Sequence, residues 1–104
     1  RNVTNVPAQA LALMNDPFVA EQSALWAKQI LAEPSRSTDE RLDQMYRTAY
    51  ARLPDEQERA AATAFLEEQT ALHGGSFADD PRQEAAWTDL AHALFNAKEF
   101  IFVP

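Results

Sequence analysis

The sequence predicts an all-α fold: a compact bundle of four main helices plus one short N-terminal helix, with an extended apolar arm at the C-terminus. The chain has 104 residues and only two glycines, adjacent as Gly74 and Gly75, which is too few for the frequent tight turns of a β-sandwich or barrel. Strong helix formers such as Ala, Leu, Glu and Gln are common. Apolar residues also recur at the three- and four-residue spacing of amphipathic helices.

The composition, with 46% hydrophobic and 24% charged residues, is typical of one globular domain, so we expect residues 1–104 to form a single helical domain. Because the chain does not begin with Met, we expect it to be an excised piece of a longer protein. The absence of Cys excludes disulfides, thiolate metal sites and C-x-x-C-H haem attachment within this segment. A net charge of −7, with nine basic residues scattered along the sequence, makes nucleic acid an unexpected partner.

The first two predicted helices meet at a sharp corner. Residues 7–14 predict a short helix, and the uncharged run ends at Asp16, far short of the ~20 apolar residues that span a membrane. Asn15 ends this helix, while Asp16 caps the next and Pro17 occupies its first position, where its missing N–H has no cost. The second helix extends to about Ala32. Its wide apolar face predicts that it is the central helix, with core positions Phe18, Val19, Leu25, Trp26, Ile30 and Leu31.

The clearest amphipathic pattern lies in "TDERLDQMYRTAYARLP", residues 38–54. Ser37 or Thr38 is placed to cap this helix, and Pro54 is predicted to end it. Asp43 and Arg47 have the spacing of an exposed ion pair. The predicted core positions are Leu42, Met45, Tyr46, Ala49, Tyr50 and Leu53.

The next helix begins with Asp55-x-x-Glu58, which matches the reciprocal capping pattern, and extends towards Leu72. His73-Gly74-Gly75 supplies a left-handed residue after its last turn. The Phe77 ring is expected to pack under the bundle. The predicted buried stripe is Ala61, Ala64, Phe65 and Leu72.

The last helix is predicted to start at Asp80-Pro81, by the same signal as Asp16-Pro17, and to end near Ala97. The tail "EFIFVP" (99–104) is expected to pack as an extended arm. The core face of the helix is Trp87, Leu90, Ala91, Leu94 and Phe95.

His92 is the most notable candidate for a polar site, because Asp89 and Asn96 lie three residues before and four residues after it on one helical face. These groups could meet a metal or a substrate. They are too few for a hydrolytic zinc site, however, and no H-E-x-x-H spacing is present. A solvated or capping role is favoured for His92, and a helix-dipole interaction for His73.

Other constellations do not support catalysis. A nucleophilic Cys and a G-x-S-x-G elbow are both lacking, and the acidic pairs Glu67-Glu68 and Asp79-Asp80 are interpreted as solvated surface. Trp26, Tyr46, Tyr50 and Trp87 are interpreted as core rather than as a sugar- or haem-facing groove. No catalytic residue, cofactor or metal ligand is therefore predicted. The polar candidates near helix ends are Asn15, Asp16, His92, Asn96 and Glu99, and the corner at Asp16 could also bind an anion through free N–H groups.

Three blocks carry a family resemblance: "TNVPAQALALMNDPFVAEQ" (4–22), "YRTAYARLPDEQE" (46–58) and "AWTDLAHALFNAKEFIFV" (86–103). In this order they resemble the C-terminal end of a planctomycete-specific domain of unknown function. The family pattern has a G-R-x-P turn in the middle block, from which Ala51-Arg52-Leu53-Pro54 departs. The resemblance implies that the chain is the C-terminal segment of a large, multidomain exported protein. Such proteins typically carry an upstream planctomycete domain, often a c-type cytochrome module and sometimes a lectin-like sandwich. It supplies no catalytic residues.

Three hypotheses follow. The first is a non-catalytic helical module that packs against the upstream domains of its parent protein, in an extracytoplasmic location and with a haem partner elsewhere in that protein. The second is a lobe that completes an active site or a glycan-binding groove, through Asn15, His92, Asn96 and Glu99. The third is an acidic surface on which a cytochrome docks.

Overall fold

The structure, a computed structural model, describes residues 17–96 and is all-α. Four helices are present, α1 (Pro17–Leu31), α2 (Thr38–Tyr50), α3 (Glu56–Leu72) and α4 (Glu84–Phe95), and the described part of the chain contains no strand. The prediction of a bundle of four main helices is confirmed. The predicted short helix at 7–14, the residues Asn15 and Asp16, and the apolar arm at 99–104 lie outside the described residues.

Helix α2 begins with a capping box at Ser37, which is one of the two capping residues predicted from the sequence. The Ser37 hydroxyl accepts from the Glu40 backbone N–H at 3.1 Å, and the Glu40 carboxylate accepts from the Ser37 backbone N–H at 2.8 Å. The helix ends at Tyr50 rather than at Pro54, because Ala51 adopts a left-handed conformation (φ 59°, ψ 30°). Five of the six predicted core positions are buried, whereas Leu53 follows the helix and is 46% exposed.

Helix α3 has the predicted start and end but a different buried face. Asp55 and Glu58 form the expected capping box, and Gly74 is left-handed at φ 87°. The predicted stripe of Ala61, Ala64, Phe65 and Leu72 is wrong in register: only Phe65 is partly buried, and Leu72 is 76% exposed. The buried positions are Ala62, Leu66 and Thr70.

The polar residue Thr70 accounts for one part of this error, the choice of Leu72 as the last core position. Its hydroxyl donates to the Leu66 carbonyl at 2.7 Å, so burial leaves no unpaired donor. A pattern built only from apolar residues excludes Thr70 and selects Leu72 instead. The buried set has the spacing of one helical row at i, i+4 and i+8.

Helix α4 begins at Glu84 and not at Pro81 as predicted. Residues 80–83 form a turn, in which the Asp80 carbonyl accepts from the Gln83 N–H at 3.3 Å. The Pro81 carbonyl accepts from the indole Nε1 of Trp87 at 2.9 Å. This bond holds the proline beneath the first turn of α4, so the Asp-Pro signal here marks a turn.

The central helix is α4, whereas the sequence predicted α1. Helix α4 packs against all three other helices, with its most extensive contact on α1. The apolar face of α1 is narrower than predicted, since Phe18 is 63% and Leu25 50% exposed. The four aromatic residues interpreted as core rather than as a groove are buried: Trp26, Tyr46, Tyr50 and Trp87. Phe77 packs against the core from its loop. Trp26 contacts Phe95 edge-on, with 5.2 Å between the ring centroids.

Asp43 forms an ion pair with a residue of a neighbouring helix rather than with a residue of its own helix. Its Oδ1 lies 2.8 Å from Nη1 of Arg59 on α3, so the predicted pair with Arg47 is wrong. The Asp43–Arg59 pair joins α2 to α3, which are adjacent in the bundle.

Candidate functional site

Three arginines lie near the C-terminal end of α1, and the most buried of them is Arg41. Arg41 begins the buried face of α2 and is 2% exposed. Its Nη2 donates to the carbonyls of Glu33 and Pro34 at 3.2 and 3.4 Å. Its Nε is fully buried and has no hydrogen-bond partner in the part of the chain that the structure describes. A buried donor left unpaired is costly, which makes Arg41 unusual in the described core.

Two further arginines lie beside Arg41. Arg82, in the turn before α4, donates to the Leu31 carbonyl at 2.9 Å. Arg36, in the loop between α1 and α2, donates to the side-chain oxygen of Gln44. Both Arg36 and Arg82 are exposed, whereas Arg41 is buried. We call Arg36, Arg41 and Arg82 the arginine cluster.

Backbone carbonyls hold two of the three like charges in place. The last carbonyls of a helix lack intrahelical partners and carry partial negative charge, and Arg41 and Arg82 satisfy three carbonyls at or just after the end of α1. Burial lowers the pKa of the Arg41 guanidinium, and the neighbouring charges of Arg82 and Arg36 lower this pKa further, while Glu40 raises it. Among the described residues, no carboxylate forms an ion pair with any arginine of the cluster.

The predicted residues His92 and Asn96 lie close together at the end of α4, whereas the Asp89 side chain forms no hydrogen bond with either of them in the described structure. The Asn96 amide donates to the His92 carbonyl at 2.9 Å, which is a capping contact. His92 Nε2 and Asn96 Oδ1 are both buried and have no hydrogen-bond partner among residues 17–96. Asp89 instead lies 2.8 Å from Nε2 of His73, the C-cap of α3, so this pair joins the end of α3 to α4.

The other three polar candidates, Asn15, Asp16 and Glu99, lie outside the described residues. Within 17–96, no group of three or more His, Cys, Asp or Glu side chains is arranged to hold a metal ion. The helices of this same region are also too short or too polar to cross a membrane.

Sequence reasoning missed the arginine cluster because its members are distant along the chain. Arg82 lies 41 positions after Arg41, and only the packing of α4 on α1 brings the turn before α4 to the end of α1. One local signal was present. Arg41 directly precedes Leu42 at the start of the apolar face, where a charged residue that is buried in the fold needs an acceptor.

Comparison with known proteins identifies a family. The model of PSD1, described as "Protein of unknown function (DUF1553)", matches residues 1–66, more than half of the chain. The chain belongs to this family. The match covers α1, α2 and the first part of α3, and therefore includes Arg36 and Arg41. No curated protein and no solved structure matches the chain.

Proposed function

We propose that this DUF1553 chain is a non-catalytic helical module that packs against other domains of a larger protein. The supporting observation is that several of its buried polar side chains donate hydrogen bonds to backbone carbonyls. The Thr70 hydroxyl and the Trp87 indole donate to backbone carbonyls at 2.7 and 2.9 Å, and the Tyr50 hydroxyl donates to the Leu94 carbonyl at 3.2 Å. The Tyr50 bond joins α2 to α4, while the Thr70 bond lies within α3 and the Trp87 bond at the start of α4, so these groups serve the fold.

The proposed setting is a large extracytoplasmic protein whose upstream domains include a haem-containing module. Its support is the ordered resemblance of three blocks of the sequence to a planctomycete-specific domain. The chain itself contains no Cys, so covalent haem attachment would belong to another module. Upstream domains of the same parent protein are the proposed partners.

Calorimetric titration tests this proposal. The chain is titrated with the upstream part of its parent protein, including any haem module, at low and moderate salt. We expect tight binding that depends weakly on salt, since packing between domains is dominated by apolar contact. An absence of binding at both salt concentrations would contradict the proposal.

A second candidate function is a lobe that completes an active site or a glycan-binding groove. It is favoured by the two unpaired buried atoms at the end of α4, His92 Nε2 and Asn96 Oδ1. Groups of this kind often belong to a site that another component completes. In the full-length parent protein, His92→Ala should reduce glycan-array binding, while the matched variant His73→Ala should not. Equal binding by both variants would exclude this candidate.

A third candidate function is a docking surface for a cytochrome. The net charge is −7, and the acidic pairs Glu67-Glu68 and Asp79-Asp80 are exposed as predicted. A complex held by these charges should weaken steeply as salt rises. Titration with a basic c-type cytochrome therefore separates this candidate from apolar domain packing, which should vary little with salt.

A further inference from the structure

We propose that the arginine cluster at the C-terminal end of α1 is a binding site for a tetrahedral oxyanion, a sulfate or phosphate group. The observation that carries this proposal is the combination of Arg41, a buried guanidinium with an unpartnered Nε, and two exposed guanidiniums beside it. The site is independent of the packing role proposed above.

The buried member of the cluster has donors that no described residue uses. Among the described residues, the Arg41 guanidinium donates only through Nη2, to the carbonyls of Glu33 and Pro34. Its remaining N–H groups make no hydrogen bond to any residue in the described range 17–96. The chain is acidic overall, so three adjacent guanidiniums without a paired carboxylate are unexpected as mere surface charge.

The nearby carboxylates have other roles. Glu40 completes the α2 capping box with Ser37, and Glu33 accepts from the Ser35 hydroxyl at 3.1 Å. The cluster therefore keeps its positive charge at the end of α1, where backbone carbonyls hold Arg41 and Arg82 in fixed positions. A cluster held in this way is preorganised for a ligand, which reduces the entropy lost on binding.

The chemistry favours sulfate or phosphate over a single carboxylate. A guanidinium presents a planar fork of N–H donors that matches the oxygens of these anions, and such charge-assisted bonds are stronger than neutral ones. Three guanidiniums can bind the several oxygens of one tetrahedral anion, and its double charge offsets more of their mutual repulsion. A carboxylate offers only two oxygens and one charge.

Sulfate titration of the chain at constant ionic strength, with chloride as the balancing anion, tests the proposal. Binding is measured by calorimetry, and the Arg41 Nε–Hε resonance is followed by NMR as a local readout. Arg36→Gln and Arg82→Gln should each weaken sulfate binding about tenfold, the loss expected for a charge-assisted hydrogen bond. Arg47→Gln is the matched control, because it removes the same charge from an exposed position of α2 outside the cluster. Since Arg41 is buried, its replacement is avoided.

Several outcomes would overturn the proposal. One is that sulfate produces neither a heat of binding nor a shift of the Arg41 resonance. Another is that the cluster variants and Arg47→Gln respond equally to sulfate. Binding of polyglutamate without any response to sulfate would assign the cluster to an acidic protein partner instead. If sulfate binds, dextran sulfate and unsulfated dextran identify the source. Tighter binding of dextran sulfate per sulfate group indicates a sulfate ester on a polymer, and equal binding indicates a free anion.

Discussion

Arg52 and Glu58 are joined by two parallel hydrogen bonds of 2.7 Å across the loop between α2 and α3. The Arg52 guanidinium also lies over the rings of Tyr46 and Tyr50, at 5.8 and 5.7 Å from their centroids. Glu58 at the same time accepts from the backbone N–H of Asp55 at 2.9 Å, as part of the α3 capping box. One carboxylate thus links the end of α2 to the start of α3.

This linkage predicts a specific dependence of stability on pH. The hydrogen bonds from Arg52 and the backbone N–H of Asp55 lower the pKa of Glu58 from its usual 4.5 to about 2. A carboxylate with a lowered pKa in the folded state stabilises the fold above the unfolded pKa, and this stabilisation is lost as the pH falls through the folded pKa. The contribution of Glu58 should therefore be complete above about pH 5 and should disappear between about pH 4.5 and 2.

Glu58→Gln tests this dependence. Because Arg52 and Glu58 are both partly solvent-exposed, we expect a loss of about 1–2 kcal/mol in the free energy of unfolding at pH 7. The difference from the wild type should shrink as the pH approaches 2. Urea unfolding over this pH range measures both quantities, with Glu67→Gln on the exposed face of α3 as the control. A difference that stays constant with pH would contradict the assignment.

Ala51→Gly should stabilise the protein. Ala51 is left-handed at φ 59°, a conformation that costs an L-residue with a Cβ roughly 1–2 kcal/mol, whereas glycine adopts it freely. After the greater flexibility of glycine in the unfolded chain is subtracted, a gain of about 0.5–1 kcal/mol remains. Thermal unfolding measures it. Ala60→Gly, at an exposed position within α3, should instead lose about 1 kcal/mol, and a loss in both variants would refute the conformational argument.

The two adjacent glycines should respond differently to alanine. Gly74 is left-handed at φ 87°, so Gly74→Ala should lose about 0.5–1 kcal/mol after the lower flexibility of alanine in the unfolded chain is taken into account, even though a Cβ there meets no atom within 4 Å. A Cβ at Gly75 would lie 3.1 Å from Nε2 of Gln83, the end of a flexible side chain. The free energy of unfolding of Gly75→Ala should therefore stay within about 0.5 kcal/mol of the wild type. Equal losses in the two variants would be inconsistent with this difference in backbone conformation.

Local signals predicted the start of α2 and α3, the end of α3 and the core face of α2, because capping boxes, a glycine C-cap and helical periodicity depend on residues close in sequence. Features set by tertiary contacts were not predictable in the same way. Asp43 could not be assigned to Arg59 before the angle between α2 and α3 was known. Likewise, the arginine cluster depends on the packing of α4 against α1, and its three members are isolated basic residues in the sequence. The predicted start of α4 was wrong because residues 80–83 form a turn, in which the Pro81 carbonyl accepts a hydrogen bond from the Trp87 indole.

The buried face of α3 provides a direct test of the bundle. Leu66 is fully buried against the core, whereas Leu72, which periodicity placed in the core, is 76% exposed. Leu66→Ala should lose about 2–5 kcal/mol in the free energy of unfolding, because it removes buried methyl groups and leaves a cavity. Leu72→Ala makes the same chemical change on the surface and should alter stability by no more than about 0.5 kcal/mol. Urea unfolding of the two variants measures the contrast, and a larger loss at Leu72 would show that α3 is rotated towards the face first predicted from sequence.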